Sequence, residues 1–78
     1  MTEHHRIVVI EDDPQLRRFL KTGLEAHNYE VIPADTGQAG LAAIVAQKPD
    51  AVLLDLVLPD MDGAQLLDEM RAWSQAPV

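Results

Sequence analysis

The chain has 78 residues, 47% hydrophobic and 24% charged, which suits one small folded domain and excludes a disordered tail or a fibrous repeat. Its 6 Lys and Arg against 13 Asp and Glu leave a net charge of -7, too little basic surface for counterion-releasing nucleic-acid binding. No apolar run approaches the ~20 residues of a membrane span, no secretory leader is visible, and the absence of cysteine removes disulfide scaffolds, thiolate zinc sites and cysteine nucleophiles together. The expectation is a cytoplasmic domain that touches neither membrane nor nucleic acid.

Along the chain the apolar spacing alternates between strand and helix patterns. Ile7-Val8-Val9-Ile10 is a continuous β-branched run, suited to a parallel strand covered on both faces. Asp13 is a good N-cap and Pro14 a good first residue for a helix predicted over 14 to 27. Leu16, Phe19, Leu20, Gly23 and Leu24 form its apolar face, with Arg17, Arg18 and Lys21 on a solvated one. A second strand runs from Glu30 to Ala34, and Asp35 or Thr36 caps a second helix with Leu41, Ile44 and Val45 as its buried stripe. Lys48-Pro49-Asp50 stops that helix before a third strand, Ala51-Val52-Leu53-Leu54-Asp55. Leu56 to Met61 form a loop. Asp62, with Gln65 three residues on, caps a third helix whose buried face is Leu66, Leu67, Met70 and Trp73. Val78 reads as the first residue of a further strand. His4 and His5 read as a terminal tail. Strands alternating with helices imply parallel βαβ units with right-handed crossovers.

Ligands of an open parallel sheet bind beyond the carboxyl ends of its strands. Glu11 and Asp12 end the first strand and Asp55 ends the third. If those strands are neighbours, three carboxylates crowd one small volume, each losing hydration and repelling the others. A hard divalent cation resolves that conflict, and oxygen-only donors favour Mg²⁺ or Mn²⁺. A carboxylate fixed beside such an ion can act as a nucleophile toward phosphorus. Any one of these acids alone is an ordinary strand-end residue; three together point to a site.

Ile7-Val8-Val9-Ile10-Glu11-Asp12-Asp13, Lys48-Pro49-Asp50 and the stretch from Val52 through Asp55 and Pro59-Asp60-Met61-Asp62-Gly63 resemble the receiver domain of two-component response regulators. Leu16-Arg17-Arg18-Phe19-Leu20 and Arg71 to Val78 further resemble the Kdp-type regulators of the OmpR/PhoB subfamily. The resemblance implies a flavodoxin-like (CheY-like) doubly wound sheet, here three strands and three helices in strand order 2-1-3. It makes Asp55 the phosphoacceptor and gives Mg²⁺ to Glu11, Asp12, Asp55 and the backbone carbonyl of Val57. Pro59 and Gly63 shape the loop beyond the acceptor, while Asp60 and Asp62 read as loop and cap residues. The implied partner is a sensor histidine kinase, docked in this family on the first helix.

The family's switch Ser or Thr and its phosphate-pairing Lys follow the fourth and fifth strands, beyond residue 78. Lys48 cannot stand in for that Lys, since it precedes the third strand. The expectation is therefore an incomplete receiver over 1–78, with its output domain elsewhere. Val52, Leu53 and Leu54 would form an open apolar edge that invites self-association, and the whole protein would form a homodimer. Two other readings compete: an interaction module that has lost the switch, and a Mg²⁺-dependent phosphatase-like enzyme. Val57, where haloacid-dehalogenase-like phosphatases need a second Asp, weighs against the latter.

Overall fold

β-Branched Ile7, Val8 and Val9 with Ile10 are all buried, because their strand, β1 (Arg6–Ile10), is the middle one of three. In this computed structural model, which describes residues 5–55, 58–72, 74 and 77, the chain continues through α1 (Pro14–Glu25), β2 (Glu30–Ala34), α2 (Gly37–Gln47), β3 (Ala51–Leu54) and α3 (Gly63–Arg71). The sheet is parallel, in the expected order β2-β1-β3. Register pairs Ile10 with Ala34 on one side and with Leu54 on the other, so all three strands end level.

The helices start where their caps dictate. Asp13 accepts from the N–H of Gln15 at 2.9 Å, Thr36 from that of Ala39 at 3.1 Å and Asp62 from that of Gln65 at 2.7 Å. Of the two candidate caps of α2, Thr36 is the one used. α1 ends at Glu25 rather than residue 27, because Asn28 turns left-handed (φ 68°), a conformation Asn tolerates.

The step from β1 to β2 and the step from β2 to β3 run in opposite directions across the sheet. Right-handed crossovers then put α1 on one face and α2 on the other. α2 and α3 share the larger core, which holds Val8, Ile10, Ala34, Ile44, Val52, Leu58, Met61, Leu66 and Met70. The α1 face has a smaller cluster of Ile7, Val9 and Val31, flanked by Leu20, Leu24 and Ala51.

Several expectations need correction. No residue of α1 is fully buried: Leu20 and Leu24 reach the sheet, but Phe19 is 63% and Leu16 44% exposed. α1 lies alone on its face, so the far side of its apolar stripe meets no neighbouring helix among the described residues. The β3 edge is not wholly open either. Val52 is buried and its N–H donates to the Pro77 carbonyl at 2.9 Å, leaving Leu53 as the partly exposed edge residue at 39%. His5 is no loose tail, since its carbonyl accepts from the Glu30 N–H at 2.9 Å and its ring lies 3.5 Å from Asp50. His4, Trp73 and Val78 lie outside the described residues. Among the described residues, no helix is long and apolar enough to cross a membrane.

Candidate metal centre

The strand ladder runs one residue past each strand end. Asp55 N–H donates to Ile10 carbonyl and Glu11 N–H to Ala34 carbonyl, both at 3.0 Å. Those two bonds set Glu11 and Asp55 side by side on adjacent parallel strands, and Asp12 follows at the turn into α1. The three carboxylates each bring an oxygen within 4.8 Å of the others. All donors are oxygen, and a small inward shift of these side chains would let them share one hard cation that binds oxygen at about 2.1 Å.

The turn carrying Glu11 and Asp12 is latched from several sides. The Asp13 side chain caps α1, and its N–H donates to the Glu11 carboxylate at 3.3 Å. The Arg17 guanidinium donates to the Glu11 carbonyl at 2.9 Å and reaches the Asp12 carbonyl at 3.5 Å. Arg17 thus departs from the solvated face assigned to it: a full turn into α1, it folds back over the acidic loop.

The electrostatics carry the strain expected of crowded acids. The Glu11 carboxyl is pushed above its usual value, first by burial and then by the charges of Asp55 and Asp12. A hydrogen bond with the Asp55 side chain pushes the same way, and the bond from the Asp13 N–H opposes the shift. A divalent cation bound among these oxygen donors would balance their crowded charge. The residues present therefore fit a divalent metal.

Of the predicted site residues, Glu11, Asp12 and Asp55 come together. Val57 lies outside the described residues. Asp62 caps α3 as expected. Asp60 turns toward α2 instead, where its carboxylate accepts from the N–H groups of Gly37 at 2.8 Å and Gln38 at 2.9 Å. Two successive amides hold that carboxyl below its usual value. No local pattern announces this contact, because its partners are 23 and 22 residues apart. Arg17 is nearer to hand: a basic residue four positions after a helix cap is placed to reach back to the loop before it.

Comparison with known proteins agrees with this fold. Residues 7–78 match the response regulator receiver domain family. The chain is 43% identical over 72 residues to the KDP operon transcriptional regulatory protein KdpE of Escherichia coli, a stretch covering 92% of this chain and 32% of that protein. It is 46% identical over 72 residues to KdpE of Mycobacterium tuberculosis, with the same shares covered. The chain thus spans about a third of the length of these relatives. Among solved structures it resembles the receiver domain of the hybrid histidine kinase CckA, with a TM-score of 0.87 and 33% identity over 94% of this chain and 70% of that one. The BeF3-activated receiver domain of Klebsiella pneumoniae RstA is similar too, with a TM-score of 0.86 and 36% identity over 92% of this chain and 62% of that one.

Proposed function

The chain belongs to the response regulator receiver domain family, and from that premise we propose that Asp55 accepts a phosphoryl group from the phosphohistidine of a sensor histidine kinase. Glu11, Asp12, Asp55 and the backbone carbonyl of Val57 hold Mg²⁺. The observation that carries this reading is the meeting of three carboxylates, within 4.8 Å, at the level ends of two adjacent parallel strands.

In the reaction an Asp55 carboxylate oxygen forms a bond to phosphorus as the phosphorus–nitrogen bond to imidazole breaks, leaving an acyl phosphate on Asp55. When bound, Mg²⁺ neutralises charge on the transferring phosphoryl oxygens. The chain's own task is positional. The bond from the Asp55 N–H to Ile10 fixes the nucleophile's backbone, while the Asp13 and Arg17 contacts fix the turn bearing Glu11 and Asp12.

The wider role is a cytoplasmic signalling switch that controls an output domain outside residues 1–78, in keeping with relatives named as transcriptional regulators. The whole protein forms a homodimer. The domain is a phosphoryl acceptor rather than an enzyme acting on a separate substrate.

Intact mass after incubation with Mg²⁺ and acetyl phosphate tests the assignment. The expected result is one phosphoryl gain that vanishes in Asp55→Asn. No gain in a chain extended through the fifth strand would overturn it, because that chain includes the family's phosphate-pairing Lys.

A further inference from the structure

Three of the chain's 6 Lys and Arg residues, Arg17, Arg18 and Lys21, line one groove of about 290 Å³ between α1 and β2. Pro14 and Pro33 line it from either side and Thr22 brings a hydroxyl, while no carboxylate lines it among the described residues. In a chain of net charge -7, half of the cations are thus gathered at one place.

Their placement works against the helix that carries them. Arg17 and Lys21 stand four residues apart, a like-charged pair on one face, which destabilises a helix. None of the three falls in the last turn, where the macrodipole favours cations, and the first turn carries no acid to balance them. Residues set against local rules in this way mark sites of function. Existing partners do not absorb the charge. Arg18 is exposed and has no hydrogen bond or ion pair among the described residues. Arg17 uses Nη1 on the neutral carbonyls of Glu11 and Asp12, so its charge meets no carboxylate there. Lys21 pairs with Glu25 at 3.2 Å, but that bridge is close to half exposed on both sides, and such pairs contribute little.

We propose that the groove between α1 and β2 binds a small polyvalent oxyanion of the phosphate class, held by Arg17, Arg18 and Lys21. The two guanidinium groups present planar forks of donors that suit phosphate oxygens, and Lys21 adds a point charge. The size of the occupant follows from the charge around the groove. An extended polyanion would meet the acidic remainder of the chain, whereas a small one stays within the local positive field, which salt screens over about 8 Å. The volume, just under the usual range of ligand pockets, agrees with a small guest.

A titration of the ¹⁵N-labelled chain with inorganic pyrophosphate, followed by amide NMR shifts, tests this. Magnesium-free buffer keeps the probe unchelated. The expected result is saturable shifts at Arg17, Arg18, Lys21 and Thr22, with a dissociation constant on the order of 1 mM. Arg18→Gln and Lys21→Gln should each weaken binding about 10-fold, the loss of one charge-assisted hydrogen bond. Lys48→Gln removes the same charge from the far end of α2 and should bind like wild type. No saturable shift up to about 10 mM pyrophosphate, or shifts centred outside the groove, overturns the proposal. Wild-type affinity in both groove variants overturns it as well. So does equal weakening in Lys48→Gln, because overall charge would then be the cause.

Discussion

The two faces of the sheet are built from the same strands and end up unlike. On the face covered by α2 and α3, Val8, Ile10 and Val52 meet Ile44, Leu66 and Met70, all nearly or wholly excluded from solvent. On the other face Ile7, Val9 and Val31 are buried by one helix, which leaves its own Phe19 largely and its Leu16 partly in water. An amphipathic pattern therefore reports which side of a helix is apolar, and the number of neighbouring elements decides how much of that side is covered. Burial is what stabilises, at roughly 25 cal/mol per Å² removed from water, so the two faces contribute unequally.

The largest effect is expected in the thicker core. Leu66→Ala opens a cavity under α3 and should cost about 2–5 kcal/mol, enough to unfold much of so small a domain. Urea unfolding followed by circular dichroism reads this, and a loss below 1 kcal/mol would mean that this face is not the main core.

Gly40→Ala should follow, at about 1–3 kcal/mol. A Cβ there would stand 2.4 Å from Cδ1 and 2.7 Å from Cγ1 of Ile10, a side chain only 1% exposed with nowhere to retreat. The same unfolding experiment applies, and a wild-type midpoint would show slack between α2 and the sheet.

A pH dependence tests how the loop before α3 is fastened to the α2 side. Asp60, held below its usual 3.8, contributes stability above that pH and loses it as the pH falls through the depressed native value. Thermal unfolding midpoints of wild type should drop on acidification below pH 3.8 more steeply than those of Asp60→Asn. Parallel curves would show that the Gly37 and Gln38 bonds are not kept in solution.

The smallest effect is expected from Phe19→Ser, within about 0.5 kcal/mol, because most of the ring already faces water. A larger loss, with sedimentation showing concentration-dependent association of the wild type, would break the comparison by revealing a covered α1 face.

Much of this was legible in advance for local reasons. A cap needs only the few residues after it, so Asp13 and Asp62 declared their helices. Continuous β-branched runs identified strands with two covered faces, and the acids ending the first and third strands marked the candidate site. Phe19 was misleading because spacing alone carries no information about a missing neighbour. Arg17 looked solvated because basic residues at helical spacing usually are; here the loop just before the helix offers its carbonyls instead.

The sequence by itself determined the alternation of elements, their caps and the identity of Glu11, Asp12 and Asp55, since each depends on residues close along the chain. Only the tertiary structure decided that these carboxylates lie within 4.8 Å of one another, that α1 is half uncovered, and that Asp60 completes the cap of α2. Those outcomes depend on strand register and on the hand of the crossovers, which bring together groups 20 to 45 residues apart, as the pairing of Ile10 with Leu54 shows.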